Sequence, residues 1–397
     1  MIRVGFVLTL TNNGWLGGIN YFRNLIRAIY ANPGRKIEPV IFVGYDSDDK
    51  LLENFPAATI VKDHIFDSRS FQARIRRVLR RTLHRDIVLE RFLTKMEISV
   101  LSHSGSIGRG SLVLTIGWIP DFQHKYLPSF FSKKELSDRD KYFQEICAEC
   151  TRVIFSSNVA KCDAEKFYPA YSEKFRLLHF VPDIEDISDL PDIIPLKEKY
   201  QIKGPYFIVP NQFWIHKNHS VIIDALSILK KQGIPVTVVA TGNTTDYRQP
   251  DYYRSLQKKI QDMDLAENFL TVGIVPYREL LSLMIHAIAI INPSLFEGWS
   301  TSVEEAKVLN LNVILSDIPV HREQNPRNGV FFPPNDSRRL SEIMFDAIHG
   351  GSEKTVVFTR DLVKISEKLS ESQMKFAQEY EKIVLDISIK SEEVRKR

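Results

Sequence analysis

The first forty residues follow a simple rhythm. "RVGFVLTL" is a short apolar strand, and "NNGWLGG" is a turn-forming loop. Ile19, Phe22, Leu25, Ile26 and Ile29 then recur at helical spacing. "EPVIFVGY", "VLTIGWI", "RVIFSS" and "FRLLHFV" predict further strands, with helical stretches between them. This alternation is that of a parallel sheet with helices on its faces. At Pro182 it stops. "PDIEDISDLPDIIPLKEKYQIKGP" is rich in proline and acid, and reads as a connector. The rhythm then restarts. "YFIVP", "VTVVATG", "FLTVGIV", "IAIINPS" and "NVILSD" predict strands, and "HSVIIDALSILKKQG", "DYYRSLQKKIQDMDL" and "RELLSLMIHA" helices. "SESQMKFAQEYEKIVLDI" predicts a single amphipathic helix, followed by a charged tail expected to fray. The chain therefore divides into an α/β domain over 1–185, a second over 200–370, and a helix and tail over 371–397.

Composition fits this picture. A hydrophobic content of 44% in 397 residues is enough for more than one core. No apolar run approaches the ~20 residues that span a bilayer. The N-terminus reads as a first strand rather than a secretory signal, so the expected location is cytoplasmic. Cys147 and Cys150 form a CxxC pair, but no further zinc ligands stand at suitable spacing. They read as reduced thiols on a helix. The net charge of +4 is unevenly spread: Arg69 to Lys95 holds nine basic residues and two acids.

Ligands of open α/β sheets bind outside the carboxyl ends of the strands. Three unusual loops fall there. In "NNGWLGGINYF", Gly17 and Gly18 come directly before a helix, where backbone N–H groups can approach a phosphate; a plain turn is the alternative. In "PNQFWIHKNH", Lys217 precedes a helix and suits a phosphate as a point charge. Gln212 can donate amide hydrogen bonds to the same group. His216 and His219 lack a third ligand and read as polar loop residues. In "FEGWSTSVEEA", Thr301 with Glu304 fits a capping box, and so does Ser302 with Glu305. With Thr301 as the cap, Glu304 has the structural job and Glu305 is left over, partly facing the cleft. Glu297 has no capping role in either frame. A carboxylate in such a loop is a good acceptor for sugar hydroxyls.

Glu297, seven residues, then Glu305, after a strand ending in "NPS" and before one ending in "SD", resembles the signature of family 4 glycosyltransferases. "GGINYF", "WIPDFQHKYLPSFFS", "VIFSSNVAKCDAEKFYP", "LLHFVP", "SDIPVHREQ" and "NGVFFPPND" resemble further segments of that family in the same order. The resemblance implies the GT-B fold: two Rossmann-like domains facing across a cleft, with the C-terminal helix packing back on the N-terminal domain. It implies an N-terminal acceptor-binding domain and a C-terminal nucleotide-sugar domain. Glu297 would hold hydroxyls of the donor sugar and Glu305 the ribose. Lys217 would bind the diphosphate with Gln212, and Gly18 would offer backbone N–H groups to it. The N–H groups at Ser300 and Thr301 would also face the donor. Asp121 and His124 would stand on the acceptor side. The implied reaction is retaining and needs neither metal nor cofactor, since the nucleoside-diphosphate sugar is a substrate and lysine and helix N-termini stabilise the leaving charge. A glycan or lipid-linked acceptor of surface polysaccharide or lipopolysaccharide assembly is the expected partner.

The chain departs from the family in three places. Gln212 stands where an arginine is usual, Pro120 stands where a histidine usually precedes Asp121, and "GWSTS" replaces Gly-Phe-Gly-Leu-Pro. A nucleotide-sugar epimerase and a non-catalytic nucleotide-sugar-binding subunit therefore stay open. Outside the family motifs, "FQARIRRVLRRTLHRDIVL" reads as one helix within 71–93. It has Phe71, Ile75, Val78, Leu79, Leu83 and Ile87 on one side and Arg74, Arg77, Arg80, Arg81 and Arg85 on the other. It suits either an anionic membrane surface, which would place the protein peripherally on the cytosolic face, or a core on its apolar side. Nucleic acid is not expected, because no aromatics interleave the basic residues.

Overall fold

The computed structural model describes residues 1–8, 16–52, 55, 58–67, 70–108, 110–184, 187–350 and 362–395. The chain forms two units. The first comprises 1–122, 133–183 and 370–397, and the second 123–132 and 184–369.

In the first unit the order is β1 (Ile2–Val7), α1 (Leu16–Ala31), β2 (Ile37–Val43), α2 (Asp49–Leu52), β3 (Thr59–Lys62), α3 (Phe71–Leu83), α4 (Ile87–Lys95), β4 (Val100–Ser102) and β5 (Leu114–Ile119). The turn α5 (Gln123–Tyr126) groups with the second unit. Then come α6 (Lys133–Glu149), β6 (Arg152–Phe155), α7 (Asn158–Phe167) and β7 (Phe175–Leu177). The strands make one parallel sheet in the order β3-β2-β1-β4-β5-β6-β7. Val4, Phe6, Val40, Phe42, Val100, Ile116 and Val153 are fully buried, as expected of strands covered on both faces.

The second unit runs α8 (Ile193–Lys199), β8 (Tyr206–Pro210), α9 (His219–Lys231), β9 (Thr237–Thr241), α10 (Tyr252–Asp262), β10 (Phe269–Gly273), α11 (Tyr277–Ile285), β11 (Ile290–Asn292), α12 (Thr301–Val308), β12 (Val313–Ser316), α13 (Pro319–Gln324), β13 (Gly329–Phe332) and α14 (Ser337–His349). Its parallel sheet has the order β10-β9-β8-β11-β12-β13. The strand order reverses at β8 and β11, so the loops after these two strands flank the switch point, where doubly wound sheets bind ligands.

The last helix, α15 (Leu362–Arg395), starts before residue 371. It packs on the first unit. Glu381 accepts the Lys36 N–H at 2.6 Å, Gln373 donates to Asp183 at 3.0 Å, and the Tyr380 ring lies 6.1 Å from Phe6.

Three readings of the sequence need correction. The connector is not a plain linker: the second unit begins at Ile184, and Asp192 caps α8 by accepting the Ile194 N–H at 2.9 Å. Gly17 and Gly18 lie inside α1 rather than before it; Asn12 to Trp15 of that loop lie outside the described residues. The basic stretch is two helices. His84 takes a left-handed conformation (φ 52°) that ends α3, and Asp86 caps α4 by accepting the Leu89 N–H at 3.0 Å. Gly108 allows the break, since a Cβ there would lie 2.3 Å from the His84 carbonyl oxygen. Ile87 and Arg85 therefore leave the helical face assigned to them.

Candidate active site

The loop after β8 carries Lys217 at the end of a single helical turn, Ile215–Lys217. Asn218 follows in the left-handed region (φ 55°), and its amide donates to the carbonyls of Pro293 (3.2 Å) and Pro334 (2.8 Å). This ties three loops together at the sheet edge. The Leu295 N–H donates to the His216 carbonyl at 2.8 Å, which joins the same two loops again. Gly242 presses on this loop from the next strand end. Its φ of 118° favours glycine, and a Cβ would meet the Asn211 oxygen at 2.7 Å and the Gln212 Cα at 2.9 Å. Gln212 is thus fixed through its backbone, with its side chain half-buried.

The loop after β11 rests on a buried polar floor. Asn292 accepts from Asn211 Nδ2 at 3.3 Å and donates to Ser300 Oγ at 2.9 Å. Ser316 Oγ donates to the Ser294 carbonyl at 2.5 Å, and Ser294 Oγ donates to Glu297 Oε1 at 2.6 Å. Lys217 Nζ lies 2.6 Å from the same Glu297 oxygen, across 80 positions of sequence. Burial alone pushes the Glu297 carboxyl up. The Lys217 ammonium opposes this and holds it at about 2, so the carboxylate is charged.

Glu305 has the opposite balance. It is buried on α12, and Tyr277, at the start of α11, donates to it at 2.8 Å. Burial raises its pKa to about 7, and the tyrosine hydrogen bond offsets only part of the rise.

Neither capping box forms. Ser300 is the N-cap and has no side-chain cap bond, because its hydroxyl is taken by Asn292. Gln324 instead brackets the cap residue: its Nε2 donates to the Ser300 carbonyl at 2.9 Å, and its Oε1 accepts the Ser300 N–H at 3.4 Å. Gln324 also donates to Glu304 at 2.9 Å, and Lys307 pairs with Glu304. Glu304 is therefore structural, but through side chains rather than a cap. The Ser300 N–H points at Gln324. Thr301, one residue on, opens the helix. Nothing in the local pattern singled out Gln324, Tyr277 or Asn218, because each acts through a partner distant in sequence.

His216 and His219 are not polar loop residues. Both are buried, burial lowers each to about 3, and the His219 ring stacks on Phe213 at 4.3 Å. Among the described residues no cluster of three or more His, Cys, Asp or Glu could hold a metal. Cys147 and Cys150 are buried in an apolar cluster, and burial lifts their thiols to about 12 and about 11.

In the first unit, Gly18 lines a cavity of about 470 Å³ with Phe22, His103, Trp118, Pro120, Arg139 and Tyr142. The Trp118 ring is backed by Tyr21, stacked at 4.3 Å. Asp121 follows β5 and is half-buried, while His124 is buried and groups with the second unit.

These features can be set beside known proteins. Residues 192–359, which include Lys217, Glu297 and Glu305, match the family described as glycosyl transferases group 1. The matched stretch lies within the second unit. It is 27% identical over 256 residues to the O-antigen chain mannosyltransferase RfbU of Salmonella typhimurium (strain LT2), covering 63% of this chain and 64% of that protein. The structure of Anabaena HepE in complex with UDP and glucose is similar with a TM-score of 0.63 at 14% identity, covering 100% of both chains. WaaG, a glycosyltransferase involved in lipopolysaccharide biosynthesis, is similar with a TM-score of 0.61 at 14% identity, covering 94% of this chain and 95% of that one. The fold is GT-B.

Proposed function

We propose that the protein transfers a sugar from a nucleoside-diphosphate sugar to a glycan or lipid-linked acceptor in O-antigen or lipopolysaccharide assembly. The observation that carries this reading is the Lys217–Glu297 pair at 2.6 Å, set at the switch point of the sheet. Lys217 binds the diphosphate and stabilises its charge as the sugar bond breaks, and Glu297 accepts the sugar hydroxyls. Glu305 accepts the ribose hydroxyls, and Gln212 and the Thr301 N–H contact the phosphates. In this reading the reaction proceeds with retention and without metal or cofactor. The aromatic cavity of the first unit suits a glycan acceptor.

Incubation with a panel of nucleotide sugars tests the reading. A mannosyl donor comes first, by likeness to RfbU, and UDP-glucose second, by likeness to HepE. Transfer or slow donor hydrolysis supports it. Inverted sugar without transfer, or saturable binding without turnover, overturns it. Added chelator should leave the rate unchanged, and the product anomer should match the donor.

Glu305 gives the donor site a pH dependence. Below its pKa of about 7 the carboxyl is protonated and loses acceptor capacity. Nucleoside diphosphate affinity should therefore rise with pH from 6 to 8, by up to about tenfold per unit on the acid side. Glu305→Gln should flatten this profile in calorimetry, and Tyr277→Phe should move it to higher pH.

We also propose that α3 contacts an anionic membrane surface from the cytosolic side. None of its residues is buried; Phe71 is 77% and Val78 61% exposed, so a core does not cover its apolar side. Arg74 and Arg81 are exposed beside them, while Arg80 pairs with Glu145. Each basic residue at the surface contributes ~1 kcal/mol. No helix among the described residues is long and apolar enough to cross a membrane. Binding to anionic vesicles should fall with salt and drop at least tenfold in a Phe71→Asp/Val78→Asp variant. Equal binding to neutral vesicles, or none to either, would sink this proposal.

A further inference from the structure

Arg248 lies in the loop between β9 and α10. Its side chain is 4% exposed, yet the nearest carboxylate contact, Asp246, is 3.5 Å away. Asp246 already accepts the N–H groups of Ile215 (3.2 Å) and of Arg248 itself (3.0 Å). Arg248 Nε has no hydrogen-bond partner. A guanidinium so deeply buried and so thinly paired is costly, and needs a reason.

Its neighbours supply one. The guanidinium carbon lies 5.0 Å from the centre of the Phe131 ring, 5.3 Å from Trp214 and 5.5 Å from Tyr247. Its Nη1 donates to Gln123 Oε1 at 3.0 Å. Trp214 belongs to the Lys217 loop, whereas Gln123 and Phe131 belong to residues 123–132, a strap that groups with the second unit although the chain on either side belongs to the first. The strap has another anchor. Tyr126 stacks on Phe296 with ring centres 5.6 Å apart and planes at 29°. Phe296 is the residue before Glu297. His124, between these anchors in sequence, is buried with its ring edge-on to Phe131 at 6.4 Å.

We infer that Arg248 is a positioning residue. It seats the strap on the second unit, and the seated strap holds His124 and Tyr126 beside the loop that carries Glu297. A flat cation suits this task, because it stacks on rings while its edge donates to Gln123. The seated strap closes one side of the sugar-binding loop, which favours transfer to the acceptor over loss of the sugar to water.

The inference rests on the proposed transfer reaction, so its test has two readouts on the full chain. The first does not depend on activity. Amide exchange in peptides covering 123–132 should speed at least fivefold in Arg248→Met, with the peptides of β8 and β11 unchanged. Unchanged exchange in the strap overturns the seating. The second is the ratio of transfer to donor hydrolysis. It should fall at least fivefold in Arg248→Met, with nucleoside diphosphate Kd within twofold of wild type, and Arg248→Lys should not restore it. An unaltered ratio with a loosened strap overturns the positioning role. Should Arg248→Met not fold, Gln123→Leu removes the same hydrogen bond from the strap side and is judged by the same two measurements. A wild-type protein without transfer or hydrolysis rejects the function, while the exchange result still decides the seating.

Discussion

Glu297→Ala is expected to abolish sugar transfer while nucleoside diphosphate remains bound. The carboxylate is buried, charged and held by Lys217 and Ser294. In the proposed reaction it fixes the sugar while the bond to the diphosphate breaks, and losing such a polar contact typically costs about 10²–10³-fold in rate. Nucleotide affinity has no reason to fall, because the variant releases Lys217 from its present partner for the diphosphate. Glu297→Gln separates charge from shape: it can still meet Ser294 but no longer neutralises Lys217. Both variants should lose transfer and keep a Kd for nucleoside diphosphate at or below the wild-type value in calorimetry. Transfer at the normal rate by either one refutes the assignment.

Lys217→Ala is expected to weaken nucleoside diphosphate binding by about 10–100-fold, the usual worth of a charge-assisted hydrogen bond. It should also destabilise the second unit. The pair is largely buried, with side chains 15% and 8% exposed, and removing one partner strands the other charge. Broken buried pairs typically cost about 3–5 kcal/mol. The pH dependence checks the cause. The Glu297 pKa is depressed from 4.5 to about 2 in the folded chain, so the pair's stabilisation is present above pH 4.5 and is lost as pH falls towards 2. Urea unfolding should therefore show a gap between wild type and Lys217→Ala at pH 7 that narrows at pH 3. A constant gap would mean that the loss comes from packing alone.

Much of the fold is legible along the chain because its strands are buried on both faces. Runs such as "PVIFV" and "YFIVP" are apolar at nearly every position, and helices of clear period stand between them. The less visible strands are of other kinds. Thr59–Lys62 is partly exposed at the sheet edge, and Val100–Ser102 is only three residues long. The break at His84 was hidden because the arginines and apolar residues keep a helical period through it. The left-handed turn is permitted by Gly108, more than twenty positions away.

The site divides in the same way. Glu297 and Glu305 stand out in sequence because neither has a sufficient local job, and Lys217 because it precedes a helix. Their electrostatic characters do not. Two glutamates of one loop and helix differ by several units of pKa, about 2 against about 7. The difference arises because one lies against an ammonium brought from 80 positions away and the other against a tyrosine hydroxyl in an otherwise low-dielectric pocket. The sequence by itself determined the alternation of strand and helix, the two sheets and the residue types at the strand ends, since these follow from local periodicity and composition. Only the tertiary structure decided that Gln324 meets the residue that caps α12, that the Glu297 carboxyl is held low while the Glu305 carboxyl is raised, and that Arg248 grips a strap from elsewhere in the chain. Each of these depends on partners that meet only after the sheet has formed, and no spacing along the chain encodes such meetings.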